Sequence, residues 1–151
     1  MKNCRLLSIG INEYNYFQTL NLCVADSGTV SNSMRSRFSG LSVTILNDEN
    51  NLTSKGNILG ELHNIGSLNY LQDDVVICFY AGHGFSVDGK DYIAAQDTNA
   101  DDTSTAISTD EIIDHLKRSG AGNVILIIDA CRSVVNRGFN YFGERTAELS
   151  R

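Results

Sequence analysis

Two short apolar segments decide the fold of this chain: VVICFYAGHG at residues 75–84 and VILIIDACRS at residues 124–133. Each is a β-branched run that ends at a reactive side chain, His83 in the first segment and Cys131 in the second. Continuous apolar runs of this length predict strands buried on both faces of a parallel sheet. Because ligands bind at the carboxyl ends of such strands, the sequence predicts an imidazole and a thiol at one edge of the sheet.

The rest of the chain alternates between strand and helix patterns. Residues 4–11 and 41–46 predict two more strands, and residues 85–102 predict a hairpin or short extra strands. Helices are predicted over residues 22–38, from a cap at Thr53 or Ser54 to Leu71, and from a capping box at Ser108 to Lys117. The apolar face of the first helix is predicted to contain Val24, Ser27 or Gly28, Val30, Met34 and Phe38. This alternation predicts one α/β domain with a mostly parallel sheet.

Composition excludes several classes of function. With 151 residues, 42% hydrophobic and 20% charged, the chain has the composition of an ordinary globular domain. A formal net charge of -6 argues against nucleic acid as a direct partner, because phosphate binding needs clustered Lys and Arg. No apolar run approaches the roughly 18 residues of a membrane span, so no membrane contact is expected. Four cysteines without CxxC spacing, and no signal peptide, predict a cytoplasmic protein without zinc or disulfides.

The two reactive residues have complementary chemistry. A thiol nucleophile at Cys131 needs a base, and His83 can take its proton and later protonate a leaving amine. The backbone N–H groups of Gly84 and Cys131 are candidate donors to the oxyanion. The glycines beside His83, Gly82 and Gly84, would let the backbone approach a substrate closely. Alone, each reactive residue also fits a structural role; together, at the ends of two buried strands, they favour catalysis.

The motifs YAGHG at residues 80–84 and DACRS at residues 129–133 resemble the two catalytic blocks of the caspase-like cysteine peptidases. The resemblance is closest to the metacaspase and bacterial caspase-like branch. His83 precedes Cys131 by 48 residues, in agreement with the spacing of about 50 in caspases. The first strand, the CVAD start of the first helix and the DYIA segment with Asp97 also resemble that family.

The resemblance implies an organisation for the chain. It predicts the large catalytic subunit at residues 1–135, as a three-layer α/β/α fold with a mostly parallel central sheet and without the small-subunit strands. Residues 136–151 lack periodicity and are predicted to be a linker that is processed after Arg151. The expected partners are a small catalytic subunit or the C-terminal remainder of the same precursor, and a regulatory or sensor protein.

The resemblance also implies an activity, the hydrolysis of protein or peptide substrates by a Cys131–His83 dyad with no required third member. Metacaspase-like enzymes bind a basic P1 side chain with two acidic residues, which correspond here to Asp129 and Asp26. Cleavage after Arg or Lys is therefore expected. Each residue also has an alternative role. Asp26 would then be a carboxylate that interacts favourably with the helix dipole, and Asp129 a strand-end residue that holds a loop.

Some metacaspases bind calcium, for which Asp97, Asp101 and Asp102 would be candidate ligands here. Position 138, where the resemblance expects a further aspartate, is Gly138, so no cofactor and no metal site are expected. The resemblance suggests a role in programmed cell death or antiviral defence.

Two other classes of protein are alternatives to the peptidase. A catalytically silent regulatory module of the same fold would bind a partner and would need neither reactive residue. A nucleotide-binding doubly wound domain is disfavoured, because neither GxGxxG nor GxxxxGK[ST] follows any predicted strand.

Overall fold

The computed structural model of the protein describes residues 2–131 and 147–149. In these ranges seven strands and three α-helices follow one another. The strands are β1 (Cys4–Gly10), β2 (Leu41–Asn47), β3 (Val75–Val87), β4 (Lys90–Ile93), β5 (Ile107–Ser108), β6 (Asn123–Cys131) and β7 (Ala147–Leu149). The helices are α1 (Cys23–Arg37), α2 (Lys55–Gly66) and α3 (Thr109–Arg118). Within this part of the chain, none of the helices has the length and apolar content that a membrane span requires.

The sheet is mostly parallel, as the sequence predicts. Its strands lie in the order β2-β1-β3-β6-β7, in which the first four are parallel and β7 is antiparallel to β6. The short strands β4 and β5 extend the sheet from the second half of β3 with antiparallel pairing. β7 belongs to the segment predicted to be a linker, and the domain boundary at residue 135 stays a prediction.

Helices cover both faces of the sheet. On one face, α1 packs against a cluster that includes Leu6 and Phe79. On the other face, α2 and α3 enclose a larger cluster that includes Leu7, Tyr80 and Ile112. Neighbouring residues of β1 and β3 belong to different clusters because side chains of a strand alternate between the two faces. The predicted three-layer α/β/α architecture is confirmed.

Helices α2 and α3 begin at predicted caps. The Ser54 hydroxyl accepts a hydrogen bond from the N–H of Asn57 at 3.2 Å, so Ser54 and not Thr53 caps α2. The Ser108 hydroxyl accepts from the N–H of Glu111 at 3.1 Å. Both bonds satisfy N–H groups that have no acceptor within the helix.

The buried face of α1 agrees with the prediction in part: Ser27 is fully buried, and Val30 and Met34 pack against the cluster beneath the helix, as predicted. Its fully buried residues are Cys23, Ser27 and Ser31, while Phe38 is 47% exposed. The helix lies so close to β1 that a Cβ on Gly10 would collide with the Cys23 carbonyl and the Ser27 side chain. Only small residues fit at this distance, and apolar periodicity does not detect a face made largely of serine.

Strand β3 is longer than predicted, because it exchanges partners instead of ending at His83. Its pairing with β6 is parallel up to His83, and its pairing with β4 is antiparallel from Gly84 onward. A two-residue turn at Asp88 and Gly89, with φ of 51° and 74°, joins β3 to β4. The predicted hairpin is therefore present, and His83 lies where the pairing direction changes.

Asp74 links the start of β3 to the start of β1 through hydrogen bonds. Its side chain is 2% exposed and accepts hydrogen bonds from the N–H of Asn3 at 2.6 Å and the N–H of Leu71 at 2.7 Å. The N–H of Asn3, followed by that of Leu71, holds the pKa of Asp74 below its ordinary value. Because this pKa is lower in the folded state, ionised Asp74 stabilises the fold above its unfolded pKa. The stabilisation is lost as the pH falls through the folded pKa.

We expect Asp74→Asn to lower the melting temperature at neutral pH and to reduce the loss of stability on acidification. Asparagine keeps the shape of the side chain but turns an amide donor toward backbone donors. Thermal unfolding followed by circular dichroism from neutral to acidic pH measures both effects. Asp73→Asn removes the same charge from an exposed neighbour and is the matched control. Equal losses in the two variants would contradict this role of Asp74.

Candidate active site

The structure brings His83 and Cys131 to adjacent positions of neighbouring strands. In the parallel pairing of β3 with β6, these two residues are direct partners in the register. Neighbouring strands are about 4.8 Å apart, so the two Cα atoms lie at close to that distance. The side chain of Cys131 lies outside the part of the structure that is described.

The imidazole of His83 is held by the loop between β1 and α1. Its Nε2 atom lies 2.6 Å from the carbonyl oxygen of Gln18. A carbonyl can only accept, so Nε2 donates its proton and Nδ1 carries the lone pair of the neutral ring. The Phe17 ring stacks on the imidazole at a centroid distance of 5.2 Å, and the Tyr14 ring packs against it in a T-shaped arrangement at a centroid distance of 4.7 Å. These contacts determine both the tautomer and the orientation of His83.

Two tyrosine hydroxyls hold the backbone of His83. The N–H of His83 donates to the Tyr14 hydroxyl at 3.0 Å, and the Tyr80 hydroxyl donates to the carbonyl of His83 at 2.7 Å. The two hydroxyl oxygens are 3.2 Å apart. The Tyr80 hydroxyl also lies 2.8 Å from the carbonyl of Ala94, which follows β4.

These hydroxyls give a packing reason for glycine at position 82. A Cβ at this position would clash with both the Tyr14 and the Tyr80 hydroxyl oxygens. The absent side chain therefore makes room for the two tyrosine hydroxyls, and the approach of a substrate at Gly82 stays a prediction.

Gly82→Ala is expected to destabilise the protein by about 3 kcal/mol, at the upper end of the range for overpacked buried sites. The added methyl group would have to displace two buried hydroxyls together with their hydrogen bonds. Urea denaturation measures the free energy of unfolding. The control is Gly60→Ala, at an exposed site on α2 with open space around it, which should stabilise by about 0.5–1 kcal/mol. A Gly82→Ala protein as stable as wild type would refute this packing.

Gly84, the predicted oxyanion donor, is the first residue of β3 in the antiparallel pairing, opposite Ile93. It directly follows His83, so its backbone lies at the same edge as the backbone of Cys131. The donor roles of the Gly84 and Cys131 N–H groups stay predictions.

Asp129 and Asp26 lie on the face of the sheet that α1 covers. Gly10, Ala81 and Asp129 form one row of register partners across β1, β3 and β6, and Ala81 is in the cluster beneath α1. The Oδ1 atom of Asp129 is buried and has no hydrogen-bond partner among the described residues.

Asp26 is half-buried in the first turn of α1, the part of the helix closest to Gly10. Val30, one turn further along the same side of α1, packs against the cluster that includes Ile77 of β3. Asp26 therefore lies on the same side of α1 as Val30. The structure places both predicted P1 residues on one face.

The acidic loop after β4 uses carboxylates to hold its own backbone and α2. Asp97 accepts from the N–H of Lys55, the first residue of α2, at 2.8 Å. Asp102 accepts from the N–H and the hydroxyl of Ser104 at 3.0 and 2.6 Å. Among the described residues, no group of three or more His, Cys, Asp or Glu is arranged to hold a metal ion. The independence from calcium stays a prediction, and Gly138 and Arg151 lie outside the described residues.

The sequence matches the family model of the caspase domain, peptidase C14, over residues 4–148. The chain belongs to the caspase domain family. The resemblance of the two motifs to the caspase-like cysteine peptidases is thereby confirmed, and the protein has a cysteine peptidase fold. Membership of the metacaspase and bacterial caspase-like branch stays a prediction.

Comparison with solved structures agrees with the caspase fold. The crystal structure of protein GSU0716 from Geobacter sulfurreducens matches with a TM-score of 0.65 and 18% sequence identity. The match covers 85% of this chain and 50% of that chain, so this caspase domain spans about half the length of the similar structure. At this identity the likeness shows the fold alone. No curated protein sequence matches the chain.

The residues that hold His83 in this caspase domain were not predicted from the sequence. Tyr14, Phe17 and Gln18 lie between the first predicted strand, which ends at residue 11, and the first predicted helix, which begins at residue 22. The available signal was the aromatic content of this segment, since Tyr14, Tyr16 and Phe17 fall within four residues of one another. A loop so rich in aromatic residues indicates that part of it is buried.

Proposed function

We propose that this protein is a cysteine endopeptidase that cleaves protein substrates after Arg or Lys. The observation that carries the proposal is the register of β3 and β6, in which His83 is the direct partner of Cys131. Directly paired residues of a parallel sheet share one face, so this pairing suits proton transfer between a thiol and an imidazole.

In the proposed reaction, Nδ1 of His83 takes the proton of the Cys131 thiol, and the thiolate attacks the scissile carbonyl. The resulting imidazolium would still donate from Nε2 to the Gln18 carbonyl, which stabilises its charge. Nδ1 then returns the proton to the leaving amine, and a thioester remains on Cys131. Water, deprotonated by Nδ1, hydrolyses the thioester and regenerates the thiol. The N–H groups of Gly84 and Cys131 would donate to the oxyanion in both steps.

The proposed specificity depends on Asp129 and Asp26. Burial of a carboxylate oxygen without a hydrogen-bond partner among the described residues is unfavourable in free energy. Binding of a cationic side chain to that oxygen would offset this desolvation free energy. Asp129 has such an oxygen on the face of the sheet that Asp26 shares. Arginine would bind the carboxylate through two hydrogen bonds, and lysine as a point charge.

The remaining parts of the proposal come from the family resemblance. They are a small catalytic subunit or precursor remainder as partner, activation by processing or by an upstream signal, and a cytoplasmic location.

Turnover of fluorogenic peptides tests the proposed function. Four matched peptides with Arg, Lys, Asp or Ala at P1 are incubated with the full-length protein, with calcium and with a chelator, alongside Cys131→Ala. We expect cleavage of the Arg and Lys peptides only, and no cleavage by the variant. Preference for the Asp peptide, or equal turnover by Cys131→Ala, would contradict the proposal.

A catalytically silent module that binds a partner is the second candidate, and one observation favours it. His83 is 0% exposed and is enclosed by Phe17 and Tyr14, whereas a general base must reach its substrate. No turnover of any of the four peptides, by the intact or the processed protein, would favour the silent module.

A further inference from the structure

The backbone of His83 lies at a discontinuity of the sheet. Parallel pairing with β6 ends at His83, and antiparallel pairing with β4 begins at Gly84. Its N–H donates to the Tyr14 hydroxyl at 3.0 Å, and its carbonyl accepts from the N–H of Ala94 at 2.9 Å. A residue at such a junction depends on contacts from outside the regular strand pairing for its position.

The directions of the hydrogen bonds around His83 follow from donor and acceptor chemistry. The Tyr80 hydroxyl lies 2.7 Å from the carbonyl oxygen of His83 and 2.8 Å from that of Ala94. Because both oxygens can only accept, the single hydroxyl proton of Tyr80 is directed toward them. The Tyr80 oxygen then accepts the proton of the Tyr14 hydroxyl at 3.2 Å, and the Tyr14 oxygen accepts from the N–H of His83. The bonds form a closed ring that runs from the N–H of His83 through Tyr14 and Tyr80 to the carbonyl of His83.

The ring is buried and uncharged. Tyr80 is 0% exposed, and burial raises the pKa of both the Tyr14 and the Tyr80 hydroxyl, so neither ionises at neutral pH. In such surroundings a hydrogen bond is stronger and an unpaired donor is more costly than in water. Gly82 provides the space in which the two hydroxyls meet.

We propose that Tyr14 is a positioning residue for His83. Its hydroxyl closes a hydrogen-bonded ring around the histidine backbone, and its aromatic side chain packs against the imidazole in a T-shaped arrangement. The contacts with the imidazole and with the backbone come from one side chain, so displacement of Tyr14 moves His83 relative to β6. This inference depends on the proposed function for its kinetic effect. The effect is expected in kcat and not in KM, because His83 acts on the reacting atoms and not in the P1 pocket.

Tyr14→Phe tests the proposal, because it removes the hydroxyl and keeps the aromatic ring that contacts His83 and Phe17. We expect kcat to fall about 10- to 100-fold, as for a small misplacement of a catalytic group, with KM changed by less than about twofold. The matched control is Tyr70→Phe, at a half-buried tyrosine in the loop before β3, which should leave kcat unchanged.

A spectroscopic measurement separates this inference from the proposed function. The chain has three histidines, so the protein labelled with ¹⁵N-histidine gives three backbone amide signals. In Tyr14→Phe the His83 amide proton should shift upfield, because it loses its acceptor, while the signals of His63 and His115 stay in place. If the wild type cleaves no peptide, the proposed function fails, and the spectrum still decides whether Tyr14 holds His83.

The proposal is overturned if the His83 signal does not move. An active enzyme whose kcat is unchanged in Tyr14→Phe, or equally reduced in Tyr70→Phe, would overturn it as well.

Tyr80→Phe opens the same hydrogen-bonded ring from the carbonyl side and decides the question if Tyr14→Phe does not fold. Because the two hydroxyls act in one ring, the double variant should lose little more kcat than Tyr14→Phe alone. Fully additive losses would contradict a common ring.

Discussion

Cys131→Ala is expected to reduce peptidase activity by about 10⁴-fold or more, because no other group would attack the scissile carbonyl. His83→Ala should cause a loss of similar size, since without a base the thiol remains protonated at neutral pH. The two residues act as one unit, so the double variant should lose little more than either single variant. Steady-state hydrolysis of an Arg peptide, with circular dichroism to verify folding, measures these losses.

Cys78→Ala is the matched control for the nucleophile. Cys78 is buried on β3, and burial raises the pKa of its thiol to about 12, so it remains an unreactive thiol at neutral pH. We expect unchanged activity in this variant. Alkylation by iodoacetamide provides a second measurement, in which Cys131 should react fastest and should slow down in His83→Ala. Activity that survives in Cys131→Ala, or is lost equally in Cys78→Ala, would refute the assignment of the nucleophile.

Asp129→Asn is expected to lower kcat/KM for Arg and Lys peptides by about 10²- to 10³-fold, the range for removing one partner of a buried charge pair. Turnover of an Ala peptide should change little, because a neutral P1 side chain makes no ion pair. Asparagine has the same shape as aspartate, so the change isolates the charge from the packing. Measurement of kcat/KM for the Arg, Lys and Ala peptides on one preparation gives the specificity ratio directly.

Two comparisons complete the test of Asp129. Asp110→Asn removes an exposed carboxylate from the first turn of α3 and should leave the specificity ratio unchanged. Asp26→Asn should reduce the same ratio as Asp129→Asn if both carboxylates contact one P1 side chain. An equal loss with charged and neutral peptides in Asp129→Asn would assign that residue to a structural role.

Local sequence signals predicted most of the fold of this caspase domain. The start of α2 at Ser54 and that of α3 at Ser108 follow from capping chemistry within a few residues. The parallel strands follow from continuous β-branched runs, which only a sheet covered on both faces can bury. Each of these signals belongs to one segment, and each segment forms the predicted type of element, although α2 ends at Gly66 and not at the predicted Leu71.

The predictions failed where two distant segments approach each other closely. The buried face of α1 is formed by Cys23, Ser27 and Ser31 because β1 is so near at Gly10. β3 extends past His83 because β4 replaces β6 as its partner. Neither the distance between two elements nor an exchange of strand partners leaves a periodic pattern in one segment.

The sequence by itself determined the α/β class, the family and the two residues, His83 and Cys131, on which the proposed chemistry depends. Only the tertiary structure decided how His83 is held. The acceptor at Gln18 is 65 residues away in sequence, and the hydroxyl of Tyr14 is 69 residues away. The physical reason is that a buried histidine takes its tautomer and its orientation from the donors and acceptors around it. Folding brings those groups together from distant parts of the chain.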